Sequence, residues 1–181
     1  MPALAPPRGA RRPQLGPSVH AGSKGRDALL QGCAEPVLRP QVREAPVRLL
    51  RRAGCEVVFA AGETCCGALV HHLGRKAGAL EAARRNVDAW TAEIEERGLD
   101  AIAVTAAGCG TAIKDYGFML RDDPAYAAKA ARVSALARDV CELLAGIDLA
   151  PMAAPEPLAV AYRPACSLQH GQGVVEAPRR L

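Results

Sequence analysis

From Ala28 onward, short apolar runs alternate with longer stretches of helical period. Residues 28–33 (ALLQGC) are brief and apolar, end at Gly-Cys, and predict a buried parallel strand. Residues 40–53 read as a helix with Pro40 at its start and Gly54 at its stop. Pro46 is expected to kink or shorten that helix, since an interior proline costs roughly 3 kcal/mol. A second strand is predicted over residues 55–60. Next, Leu80, Ala83, Val87, Trp90 and Ile94 recur on one helical face, with Glu81, Arg84, Arg85, Asp88 and Glu95 off it and Gly98 as terminator.

A third strand is predicted over residues 100–105, followed by a long helix over 124–145 that turns Tyr126, Val133, Leu136, Val140 and Leu143 inward and stops at Gly146. Beyond a proline-rich link at 151–157, residues 158–162 (LAVAY) predict a fourth strand. Such alternation predicts an α/β fold: a mostly parallel sheet with helices on both faces.

Composition sharpens this picture. Half of the 181 residues are hydrophobic, but about a fifth of the chain is alanine and only 3% is aromatic. The core is therefore expected to pack helices closely through Ala, Leu and Val. The net charge of +4 belongs to the N-terminal stretch: residues 1–26 hold five Arg/Lys and no acid, leaving 18 basic and 19 acidic residues elsewhere. A basic tail on a neutral body lacks the basic face of a nucleic-acid-binding domain, so no nucleic-acid partner is expected. Prolines at 2, 6, 7, 13 and 17 oppose an amphipathic transit helix, and no apolar run there is long enough for export or insertion. Residues 1–27 are expected to be a disordered, basic, Pro-rich linker.

Seven cysteines in a chain without the marks of a disulfide scaffold predict reduced thiols or metal ligands. Cys33, Cys65, Cys66, Cys109 and Cys166 each follow a predicted strand, and the carboxyl edge of a parallel sheet is where ligands bind. Cys55 opens a strand and Cys141 lies in a helix, so both read as packing residues. Adjacent cysteines are a poor disulfide and a poor half of a zinc site, and no C-x-x-C is present. Iron–sulfur clusters carry several irons, and neighbouring thiolates can each serve a different one. His71, His72 and His170 are weaker candidates for hydrogen bonding beside such a site, and Lys114-Asp115-Tyr116 for a partner surface or a solvated loop.

LLQGCAEPVLRP at 29–40, CCGALVHHLGR at 65–75, GCGTAIKDYG at 108–117 and YRPACSLQHGQ at 162–172 resemble the CCG, or cysteine-rich, domain family related to heterodisulfide reductase. Within it they are most similar to glycolate oxidase (glycolate dehydrogenase) iron–sulfur subunits. The resemblance implies a first CCG module over 28–150 and the start of a truncated second module over 158–181, making the chain a fragment. It implies metal ligation by Cys33, Cys65, Cys66 and Cys109, with Cys166 opening the second module at a cofactor site. The implied cofactor is an iron–sulfur cluster of the 4Fe–4S type, with FAD confined to a partner subunit.

The implied partners are flavin-containing glycolate oxidase subunits and, indirectly, a membrane acceptor of quinone type. The implied location is cytoplasmic, peripheral at the inner face of the membrane. No acid/base catalyst is expected in this chain. The equivalent subunit of a lactate or glycerol-3-phosphate dehydrogenase, a heterodisulfide-reductase-like thiol enzyme and a cluster-free remnant remain alternatives.

Overall fold

The computed structural model describes residues 25–147 and 159–181. Four parallel strands, β1 (Arg26–Leu29), β2 (Glu56–Val58), β3 (Ala101–Val104) and β4 (Ala137–Asp139), form one sheet in the order β2-β1-β3-β4. Ala28 pairs with Val58 on one side and Ile102 on the other. The helices α1 (Glu35–Leu38) and α2 (Gln41–Arg52) connect β1 to β2. The return crossover carries α3 (Ala68–His72) and α4 (Lys76–Arg97), and the third carries α5 (Ala107–Lys114), α6 (Tyr116–Met119) and α7 (Ala127–Leu136). The order reverses between β1 and β3, so the loops leaving those two strands open a crevice at the sheet's carboxyl edge.

Strand alternation builds two cores. Ala28, Leu30, Ile102, Val104 and Ala137 face a larger one with Ala83, Val87, Trp90 and Ile94 of α4, Ile113 of α5 and Val133 of α7. Leu29, Ala101 and Ala103 face a smaller one with Leu50 of α2 and Leu143 and Leu144 of α8 (Val140–Leu144). Helices therefore cover both faces. At the amino edge, Arg26 donates to Glu93 at 2.6 Å and to the Gly98 carbonyl at 2.8 Å, closing the end opposite the cysteine loops. Among the described residues, no helix is long and apolar enough to cross a membrane.

Several expectations need correction. β1 starts two residues earlier than its apolar run and buries Asp27 completely. Pro46 does not shorten α2, which runs through it from Gln41 to Arg52; it is buried, as is Leu50 one turn away. The long helix over 124–145 is instead α7, then β4, then α8. Asp139 ends the strand and starts α8 through a capping box, accepting from the Cys141 amide at 3.0 Å while Glu142 accepts from the Asp139 amide at 2.8 Å. The fourth strand is thus Ala137–Asp139 and not 158–162. Residues 159–162 have no regular structure and leave Val160 78% and Tyr162 48% exposed. Residues 1–24, and Leu158 with the whole proline-rich link, lie outside the described residues.

Candidate metal centre

Three crossover loops leave the same sheet edge with cysteines near their start: Cys33 after β1, Cys65-Cys66 after β2, and Cys109 within the first turn of α5 after β3. Their thiols form a row. The Cys65 thiol faces that of Cys33, and the Cys66 sulfur faces both Cys65 and Cys109, all four remaining free thiols. Cys33 is exposed, Cys65 and Cys109 are half-buried, and Cys66 is 4% exposed. No group of three or more His, Cys, Asp or Glu among the described residues has the geometry to hold one metal ion. A row of thiols instead suits an inorganic core with several irons, each taking its own thiolate.

The row has a graded chemistry. The Cys109 thiol and the Ala68 amide hold the Cys66 sulfur down to about 6, so it is the thiolate of the set at neutral pH. Cys109, as donor to that thiolate and half-buried, is pushed up. Burial also raises Cys65, although the Gly67 amide donates to it. These sulfurs, and backbone amides aimed at them, fit the demands of an iron–sulfur core.

The loops are tied together by polar side chains that sequence reasoning missed. Glu63 accepts the Gln31 amide at 2.6 Å and the Trp90 indole N–H at 3.2 Å, joining the Cys33 loop to the loop before Cys65. Thr105, after β3, bonds to Glu35 at the start of α1 at 2.6 Å. Asn86, buried on α4, accepts the Thr64 amide at 2.7 Å and donates to the Tyr116 hydroxyl at 3.0 Å. Tyr116 donates in turn to the Cys66 carbonyl at 2.8 Å. Burial pushes the phenol up, so it remains a donor throughout the neutral range.

Lys114-Asp115-Tyr116 is therefore no partner surface or solvated loop. Lys114 reaches Glu142 at 2.6 Å with both side chains nearly buried, and Tyr116 is fully buried. His71 and His72 are exposed on α3, and His170 is exposed on the helical segment Ser167–Gln172.

Gly67 explains the third letter of the CCG turn. Its φ of +76° is left-handed, and an added Cβ would lie 3.1 Å from Ala82 Cβ and 3.3 Å from the Ala79 carbonyl oxygen. The turn thus presses on α4 with no room for a side chain. Gly67→Ala is expected to cost about 1–3 kcal/mol. Urea denaturation of the cluster-free chain measures it, and a cost near zero would mean that α4 moves aside freely.

Cys166 joins the site differently. It is exposed and precedes a π-helical segment, Ser167–Gln172, docked on α5. Thr111 bonds to the Ser167 carbonyl at 3.1 Å, and Gln172 donates to the Ala107 carbonyl at 2.9 Å. Gly110 makes room: its Cβ would lie 2.6 Å from Gln172 Nε2. The structure gathers Cys33, Cys65, Cys66 and Cys109, while Cys166 sits at the head of this packed segment and not beyond a strand. Cys55 and Cys141 lie away from the row, Cys55 in the smaller core and Cys141 in α8, both pushed up by burial and by acidic neighbours.

The sequence profile of the CCG cysteine-rich domain matches residues 28–114. Residues 28–114 are a CCG domain. The match takes in β1 through α5 and all four gathered cysteines. Among curated proteins, the chain is 44% identical over 149 residues to the glycolate oxidase iron–sulfur subunit of Escherichia coli (strain K12), covering 82% of this chain and 36% of that one. It is 32% identical over 172 residues to the probable glycolate oxidase iron–sulfur subunit of Bacillus subtilis (strain 168), covering 94% and 38%. It is 26% identical over 150 residues to lactate utilization protein A of Bacillus licheniformis, covering 82% and 60%. The chain with its CCG domain thus spans well under half the length of the two glycolate oxidase relatives. No solved structure matches it.

Proposed function

We propose that this chain is an iron–sulfur electron-transfer module of a glycolate oxidase. The observation that carries the reading is the row of four thiols at the carboxyl edge of the sheet, on three loops braced to one another. Cys33, Cys65, Cys66 and Cys109 are the proposed ligands of a 4Fe–4S-type cluster, with Cys166 at the margin of the same site. Such a cluster supplies one-electron transfer. The half-exposed row, with Cys33 at the solvent side and Cys66 at the buried side, gives electrons a short way in.

Substrate chemistry belongs to a flavin-bearing partner. Oxidation of glycolate to glyoxylate releases two electrons and two protons, and FAD accepts the pair before passing electrons on singly. No acid/base residue of this chain is assigned to that reaction. The acceptor is proposed to be a quinone in the membrane, with the chain peripheral at its cytoplasmic face. Val37 and Leu38 on α1, Leu69 on α3 and Leu73 just past it are exposed after Cys33 and the CCG turn, which suits partner contact there.

The likeness to lactate utilization protein A supports a second reading, in which the partner oxidises lactate; the higher identity to the glycolate oxidase subunits favours glycolate. The test is anaerobic reconstitution of the full chain with iron and sulfide, followed by elemental analysis and EPR. Stoichiometric iron and sulfide with a reducible cluster signal is the expected result. A folded chain that takes up neither would sink the reading. Glycolate and lactate oxidation by the co-expressed flavin partner then separates the two substrates.

A further inference from the structure

We propose that Asn86 and Tyr116 are positioning residues that aim the peptide amides of the cysteine pair at its sulfurs. A trans peptide is planar, with its C=O and N–H pointing opposite ways, so fixing a carbonyl also fixes the amide behind it. Asn86 Nδ2 donates to the Cys65 carbonyl at 3.3 Å, and the Tyr116 hydroxyl donates to the Cys66 carbonyl at 2.8 Å. The peptide carrying the Cys65 carbonyl contains the Cys66 N–H, and the one carrying the Cys66 carbonyl contains the Gly67 N–H. Both carbonyls are drawn toward the core, and the Gly67 amide correspondingly donates to the Cys65 sulfur.

The pair is internally complete. Asn86 Oδ1 accepts the Thr64 amide, Asn86 Nδ2 reaches the Tyr116 oxygen at 3.0 Å, and both residues are fully buried. Two side chains from separate crossovers therefore hold three successive backbone groups of Thr64, Cys65 and Cys66. Amides facing the sulfurs favour whichever state carries more negative charge on them, which is how outer-shell donors raise a cluster's potential. The inference deepens the iron–sulfur reading, on which it rests for what the sulfurs carry; the grip on the backbone stands without iron.

The experiment compares the full-length wild-type chain with Tyr116→Phe and Ser134→Ala. Ser134 accepts the Gly117 amide at 2.9 Å and donates to the Ile113 carbonyl at 2.8 Å, so its loss perturbs α5 and α6 without freeing either cysteine carbonyl. In the cluster-free, reduced protein, iodoacetamide labelling is read at each cysteine by mass spectrometry. Cys66 is buried and reacts only when its turn opens. In Tyr116→Phe its rate is expected to rise roughly fivefold or more, the scale set by one lost hydrogen bond, and in Ser134→Ala to stay near wild type. In reconstituted protein, Tyr116→Phe is expected to shift the midpoint potential downward.

Unchanged Cys66 labelling in Tyr116→Phe, equal exposure in Ser134→Ala, or an unmoved potential would overturn the proposal. A wild-type chain that refuses iron while Tyr116→Phe still exposes Cys66 would overturn the cluster reading and leave the positioning pair standing.

Discussion

A Cys66→Ser chain reconstituted anaerobically is expected to retain iron and sulfide only at background level. Cys66 is the buried member of the row and the sulfur on which the Cys65 and Cys109 thiols converge. It is also the sulfur held down to about 6, ready as a thiolate before any metal arrives. Serine offers a neutral hydroxyl in its place, a poorer metal ligand that gives the half-buried Cys109 thiol an uncharged acceptor where it had a thiolate. Cys33→Ser changes an exposed end of the row, so it is expected to weaken retention against a chelator without abolishing assembly. Cys55→Ser and Cys141→Ser are expected to retain iron, because those thiols lie in the smaller core and in α8. Iron, acid-labile sulfide and EPR after reduction read all four. Full iron in Cys66→Ser, or equal loss in Cys55→Ser, would put the metal elsewhere.

The position of the four gathered cysteines was legible because each follows an apolar run, and such runs read reliably when both faces of a strand are covered. Those runs alone place Cys33, Cys65-Cys66 and Cys109 at one edge. The fourth strand was not legible. Ala137–Asp139 is three residues long, too short for any period to appear, and it interrupts a stretch whose apolar spacing continues as a helix on either side. Its one signal was Asp139-x-x-Glu142, a capping box that restarts a helix. The apolar run at 158–162 resembled a strand because composition alone cannot supply a neighbour to pair with, and residues 159–162 have none in the sheet.

The bracing residues of the site had fainter signals still. Asn86 is a polar residue on a mostly apolar stripe of α4, three residues after Ala83 and four before Trp90. A buried amide must find hydrogen bonds, so its place on that stripe marks something polar opposite. What lies opposite, the Cys65 carbonyl and Tyr116 of α6, comes from 21 and 30 residues away along the chain and is set by tertiary packing. Tyr116 was misread for the same reason: three polar residues in a row suggest a surface, while α6 turns the tyrosine inward and Lys114 finds Glu142 on α8.

Trp90→Ala is expected to cost about 3–5 kcal/mol, the usual range for deleting a buried tryptophan, and to sit toward its upper end. The chain has one Trp, two Phe and three Tyr, so few side chains are large enough to fill the void. The larger core that holds Trp90 also includes Ala28, Ala60 and Ala83, whose methyls are fixed to backbone and cannot swing inward. Against a total stability of about 5–15 kcal/mol this leaves the chain close to unfolding at ambient temperature. The indole also donates to Glu63, whose other oxygen holds the Gln31 amide two residues before Cys33. Its removal therefore loosens the Cys33 loop as well as the core. Trp90→Phe separates the effects: it restores most of the volume but not the N–H, so it is expected to recover most of the stability and little of the loop order. Urea melts followed by far-UV circular dichroism measure the first, since either variant lacks the sole tryptophan. Iodoacetamide labelling at Cys33 measures the second. A Trp90→Ala cost below about 1 kcal/mol, the level of an ordinary substitution, would mean that the indole does not occupy the core between α4 and the sheet.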